Sequence, residues 1–120
     1  MTPHYVLVVE DDDDLRMLVT AVLEDAGIHV TSAADGRAAL SSVRRHMPDL
    51  ILLDMRMPQM DGWQFCRALD DAGFARPRII VVTAAADAAA RADEVRADGY
   101  LAKPFDLDRL VSTVRDQLQA

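Results

Sequence analysis

The residues able to do chemistry in this chain stand directly after short apolar segments. Glu10-Asp11-Asp12-Asp13-Asp14 is an unbroken run of acids after YVLVV, and Asp54 follows DLILL. Thr83 follows RIIVV, and Lys103-Pro104 follows the short stretch GYLA. Carboxylates gathered at one place repel, two at 4 Å by roughly 4 kcal/mol at an effective dielectric of 20. A divalent cation removes that penalty. Hard oxygen donors from few carboxylates, with several waters retained, suit Mg2+ better than Ca2+. One cysteine and three scattered histidines offer no cluster for a soft metal. A carboxylate nucleophile, a metal, a hydroxyl and an ammonium are together the parts that phosphoryl transfer needs. The cations neutralise charge on the phosphoryl oxygens, and the hydroxyl donates to one of them.

These residues meet only if the apolar segments lie side by side. Tyr5–Val9, Ile28–Ser32, Asp49–Leu53, Arg78–Val82 and Gly99–Ala102 are too short for helices and mostly β-branched or leucine-rich, which predicts five strands. Between them the spacing becomes helical. Leu15, Leu18, Val19, Val22 and Leu23 fall on one face, stopped by Gly27; Gly36–His46 predicts a second helix, and Phe65, Cys66 and Leu69 mark a third. Leu107, Leu110, Val111, Val114 and Leu118 stripe the last one. Strands alternating with helices predict an α/β domain with a parallel sheet covered on both faces. In such sheets, sites lie beyond the carboxyl ends of the strands, where the chemical residues above are found.

Composition narrows the classes. With 120 residues the chain makes one domain, and 51% hydrophobic residues supply its core. A net charge of −7 argues against a protein that binds nucleic-acid phosphates. The sequence holds no run of membrane-spanning length, its Met-Thr-Pro-His-Tyr start lacks signal-peptide character, and a lone cysteine fits a reducing cytoplasm.

Each feature also has a bland reading. Acids at a helix start cap free amides and complement the dipole, and Asp13 or Asp14 is expected to do so. A lysine at a strand end is ordinarily solvated. His4, His29 and His46 are expected at the surface, Cys66 as a packed thiol, and the methionines as core and loop residues. The segment AAADAAARADEVRA from 84 to 97 holds Val95 as its only large apolar residue. It predicts a helix formed by propensity but weakly packed, the softest element of the fold.

The order and spacing of these segments resemble the receiver domain of bacterial two-component response regulators, from His4 to Leu118. The most specific stretch is Asp54-Met55-Arg56-Met57-Pro58-Gln59-Met60-Asp61-Gly62, similar to the family's D-x-x-M-P-x-M-D-G. Glu10-Asp11, Thr83-Ala84 and Lys103-Pro104-Phe105 match its other segments, and Tyr100 stands where the family carries an aromatic switch residue. The resemblance implies a single receiver domain over residues 1–120 without an output domain, a doubly wound (βα)5 fold and a flavodoxin-like strand order 2-1-3-4-5. It implies that Asp54 accepts a phosphoryl group from a histidine kinase or phosphotransfer protein, with Mg2+ as cofactor and Mn2+ able to replace it. Asp11 and Asp54 would ligate the metal directly, Glu10 through a water, and Arg56 through its backbone carbonyl. Thr83 and Lys103 would contact the phosphoryl group, and Thr83 and Tyr100 would switch. The Lys103–Pro104 bond would be cis. Glu10 stands where the family more often has Asp.

The same resemblance implies a cytoplasmic signalling domain rather than a turnover enzyme. Its fourth helix, fifth strand and fifth helix would face an unnamed downstream protein, with no direct contact to nucleic acid or membrane. It would be a monomer or a weak dimer dependent on phosphorylation. A flavin-binding module fits poorly, since acids after the first strand repel a flavin phosphate, and no G-x-x-x-x-G-K-[ST] loop is present. The alternative is a Mg2+-dependent phosphatase of haloacid-dehalogenase type, which also uses an aspartyl nucleophile. Those enzymes carry a second Asp two residues on, where this chain has Arg56.

Overall fold

The computed structural model describes residues 4–119; the Met1–Pro3 start, read above for targeting signals, lies outside them. Strands β1 (Tyr5–Val9), β2 (His29–Ala33), β3 (Leu50–Asp54), β4 (Arg78–Ala84) and β5 (Gly99–Lys103) alternate with helices. Those helices are α1 (Asp13–Asp25), α2 (Gly36–Arg45), α3 (Gly62–Asp71), α4 (Ala88–Val95) and α5 (Leu107–Gln119). All strand pairs are parallel and the sheet order is β2-β1-β3-β4-β5, the doubly wound order expected. No helix among the described residues is long and apolar enough to cross a membrane.

The core follows from the two-residue period of a strand. Leu7, Val9, Ile51, Leu53, Ile79 and Val81 point to one face and pack on α2, α3 and α4 through Ala39, Val43, Phe65, Leu69, Ala92 and Val95. Val6, Val8, Leu50, Leu52, Ile80, Val82 and Leu101 point to the other, onto α1 and α5 through Val19, Leu23, Leu110 and Val114. Burial on both faces explains why β1, β3 and β4 are apolar at nearly every position. Cys66 lies in the first layer, and burial pushes its thiol up to about 11, away from the reactive thiolate.

Several boundaries differ from expectation. β3 runs through Asp54, β4 through Thr83 to Ala84 and β5 through Lys103, so these three polar residues belong to the strands rather than to the loops after them. The helix periodicity also overreached at its edges: Leu18 and Leu107 are exposed, off the buried stripes of α1 and α5. The N-cap of α1 is Asp12, not Asp13 or Asp14; its extended backbone lets its side chain accept from the Leu15 N–H at 2.9 Å. Asp13 and Asp14 fall inside the first turn, where they complement the dipole. Gly27 ends that helix region at φ +86°, the left-handed conformation glycine adopts without strain.

α4 is a helix of 8 residues with only Ala88, Ala92 and Val95 buried and no side-chain cap at Asp87. Its support comes from outside. The Trp63 indole at the start of α3 donates to Glu94 Oε1 at 2.9 Å, and Arg91 lies over the same ring while pairing with Glu94 at 3.0 Å. At its far end, Arg76 donates to the carbonyls of Val95 and Arg96 while pairing with Asp70 of α3. The weak apolar packing read from the sequence is real, but polar ties to α3 supplement it.

Gly62 opens α3 at a point of close approach. A Cβ there would lie 2.8 Å from the backbone Cα of Met55, a fully buried residue. Alanine normally stabilises a helix over glycine by about 0.5–1 kcal/mol, but overpacking a core costs about 1–3 kcal/mol. The clash wins. Gly62→Ala is expected to lower the unfolding free energy by a net of about 1–2 kcal/mol, read as a lower urea midpoint with an unaltered slope; a midpoint at or above wild type would show that the Met55 loop yields freely.

Candidate functional site

The carboxyl edge of the sheet collects every polar residue read from the strand ends. Val9 pairs with Leu53 in register, so the next residues, Glu10 and Asp54, stand side by side. Both are buried, at 4% exposure each, while Asp11 is exposed at the rim. Carboxylate oxygens of Glu10, Asp11 and Asp54 lie within 4.8 Å of one another. Lys103 enters from two steps further out: it pairs with Ala84, whereas Asp54 pairs with Val82. Its ammonium reaches back to Glu10 Oε1 at 3.1 Å and Asp54 Oδ1 at 3.8 Å. Glu10, Asp11, Asp12, Asp54, Arg56, Thr83, Ala84 and Lys103 line one open pocket.

The electrostatics follow from burial. Desolvation pushes the Asp54 carboxyl up to about 7 from 3.8, and the neighbouring Glu10 charge pushes the same way. The Arg56 N–H, which donates to Asp54 Oδ1 at 3.1 Å, and the Lys103 ammonium act against them. Burial outweighs the two. All donors in the cluster are hard oxygens, and the ammonium alone leaves Asp54 reluctant to ionise. This donor set fits a divalent cation of the Mg2+ class.

Of the residues expected at the site, Glu10, Asp11, Asp54, Arg56, Thr83 and Lys103 line the one pocket. The Lys103–Pro104 peptide bond is cis. Tyr100 lies apart, half exposed on β5, lining a groove with Leu101, Pro104, Phe105 and Arg109. His4, His29 and His46 are exposed, away from it. One residue beside the acids escaped the sequence reading: Arg16, whose guanidinium donates to the Glu10 carbonyl at 2.9 Å and to Asp13 at 2.6 Å. An arginine three positions after an acid on a helix is ordinary, so spacing alone gave no reason to single it out.

The raised Asp54 group sets a pH dependence whose sign is fixed by linkage. Between about pH 4 and 7 the folded chain holds a proton that the unfolded chain has released, so stability falls as pH rises through that window. The metal-free protein is expected to lose on the order of 4 kcal/mol from this group between about pH 4 and 8. Denaturant midpoints in EDTA for wild type and Asp54→Asn isolate the effect. Parallel curves for the two proteins would show that Asp54 ionises as freely in the fold as outside it.

Comparison with known proteins gives one answer. The family model described as response regulator receiver domain matches residues 6–115. The DNA-binding response regulator MtrA of Mycolicibacterium paratuberculosis is 39% identical over 117 residues, covering 95% of this chain and 51% of that protein. The response regulator MprA of Mycolicibacterium vanbaalenii is 38% identical over 119 residues, 98% of this chain and 51% of that one. The chain thus spans about half the length of the curated relatives it matches. Among solved structures, the chemotaxis response regulator CheY4 of Vibrio cholerae superposes with a TM-score of 0.86 at 33% identity, covering 97% of this chain and 99% of that one. The receiver domain protein from Methanospirillum hungatei matches at 0.86 and 30%, covering 97% and 94%. Family model, curated relatives and solved structures agree, none of these matches supports the phosphatase alternative, and the chain belongs to the response regulator receiver domains of two-component signalling.

Proposed function

We propose that Asp54 is the phosphoacceptor and that the carboxyl edge of the sheet is a phosphoryl-transfer site served by a histidine kinase or phosphotransfer protein. The observation that carries this reading is the meeting of the Glu10, Asp11 and Asp54 oxygens within 4.8 Å, with the Lys103 ammonium 3.8 Å from Asp54 Oδ1. Asp11 and Asp54 would hold Mg2+ or Mn2+ directly, Glu10 through a water, and Arg56 through its carbonyl. When bound, the cation supplies the positive charge that keeps three carboxylates together and ionises Asp54.

A carboxylate oxygen of Asp54 attacks the phosphorus of a phosphohistidine. The O–P bond forms, the P–N bond breaks, and the imidazole leaves with the electron pair and takes up a proton. Lys103 is paired more closely with Glu10 than with Asp54 in this state. The added charge of an aspartyl phosphate draws its ammonium across, and the buried Thr83 hydroxyl donates to a phosphoryl oxygen. Thr83 lies on β4, which leads into α4, and Tyr100 on the neighbouring β5 turns inward as Thr83 moves. The α4–β5–α5 face is then read by a downstream protein. We read residues 1–120 as a single receiver domain that promotes only its own phosphorylation and dephosphorylation, in the cytoplasm, as a monomer or weak phosphorylation-dependent dimer.

Three outcomes test this reading. Labelling from acetyl phosphate or a phosphohistidine kinase is expected only with Mg2+ and is expected to vanish in Asp54→Asn; undiminished labelling of that variant would move the acceptor elsewhere. Cation at 100 times its dissociation constant is expected to add about 2.7 kcal/mol of stability, an increment that Asp11→Ala removes; an equal shift in both proteins would exclude Asp11 as a ligand. Hydrogen exchange across 88–95 is expected to change with the phosphoryl mimic beryllofluoride in wild type but not in Lys103→Ala. Protection unaltered by the mimic in wild type would take α4 out of the switch.

A further inference from the structure

We propose that Arg16 is a positioning residue for the cation ligands: its guanidinium sets the peptide plane between Glu10 and Asp11 and so aims Asp11 into the site. The inference rests on the cation site described under the proposed function and extends it to a residue that touches neither metal nor phosphoryl group.

Glu10 is held at every polar atom. Its N–H donates to the Ala33 carbonyl at 3.1 Å, Oε1 accepts from Lys103 at 3.1 Å, and Oε2 accepts from the Asp12 N–H at 3.2 Å. Its carbonyl accepts from Arg16 Nη1 at 2.9 Å. These four contacts differ in permanence. The Lys103 contact is the one that phosphorylation draws away, whereas Arg16 binds the backbone, which carries no charge for the phosphoryl group to compete with. A peptide unit is planar, so fixing the Glu10 carbonyl also fixes the N and Cα of Asp11. Asp11 is exposed and no hydrogen bond of its own side chain orients it within the described residues. Its direction therefore depends on the backbone behind it.

The second arm of Arg16 shows why an arginine is used. Nη2 donates to Asp13 Oδ1 at 2.6 Å, so one planar fork spans from the end of β1 to the first turn of α1. It closes the acidic turn across residues that would otherwise push apart. The Asp13 side chain is 78% exposed, which makes this ion pair by itself a weak contributor, while Arg16 is 18% exposed along the fold. Surface charge pairing thus does not account for the arrangement, and the carbonyl contact does.

The charge of Arg16 and its geometry predict opposite effects on cation binding, which makes the inference testable. Removing a positive charge beside three ligand carboxylates would tighten divalent-cation binding. Losing the fork would loosen it, by about tenfold or more if Arg16 acts as an outer-shell partner of a ligand. Calorimetric titration of Mg2+, and of Mn2+ followed by electron paramagnetic resonance, is to be run on unphosphorylated wild type, Arg16→Gln, Arg16→Lys and Asp11→Ala. Weakened binding in both Arg16 variants is expected, since lysine keeps the charge but cannot bridge the carbonyl and Asp13. The metal-free melting temperature serves as control, and Arg16→Lys carries the test should Arg16→Gln fold poorly. Binding equal to or tighter than wild type in the folded variants would overturn the inference. Absence of binding in wild type, or wild-type binding in Asp11→Ala, would overturn the cation site itself, a separate result.

Discussion

Like charges forced together at one edge of a parallel sheet are the constraint around which this molecule is organised. Strand register makes Glu10 and Asp54 neighbours, and burial removes the water that would screen them. Such an arrangement survives only with positive charge nearby. Lys103 supplies part of it by reaching back from a strand two residues longer at that edge. Asp54 answers the remainder by holding its proton far above the ordinary carboxylate range. The buried Asp54 carboxylate is thus held in a poised condition, its charge decided by whichever cation is present.

Holding that edge still requires rigidity elsewhere, and the two core layers provide it. Alternate side chains of β1, β3 and β4 enter opposite layers, so a slip of one residue would exchange every core contact for its opposite. The polar residues beyond the strands inherit this precision. Gly62 seated against the Met55 backbone anchors α3 directly beyond Asp54, so the carboxyl end of β3 is braced from its far side.

Much of this was legible in the sequence, because the strongest signals are physical necessities. Apolar runs such as LILL have no alternative to burial on both faces, and acids directly after them have no alternative to the sheet edge. What escaped was set by tertiary geometry. Leu18 and Leu107 obey helical spacing yet face solvent, because periodicity gives a direction around the axis and not the width of the neighbour that covers it. Asp12 rather than its neighbours became the cap because the chain turns one residue earlier than the acid run reveals. Arg16 and Arg76 act on backbone carbonyls, and a carbonyl leaves no trace in residue types. α4 is the clearest case: its composition announced weak packing, but the ties from Trp63 and Arg76 come from another helix and a distant loop.

Trp63 has a further consequence. It is the one tryptophan of the chain, and its indole N–H is bonded to α4 while its ring lies under a guanidinium of the same helix. The acidic pocket is lined without it. Its emission is therefore an optical gauge of the α3–α4 seam, responsive to the indole's hydration and hydrogen bonding. The fold carries its own fluorophore at this joint, so any separation of the two helices can be followed in real time in the unlabelled protein.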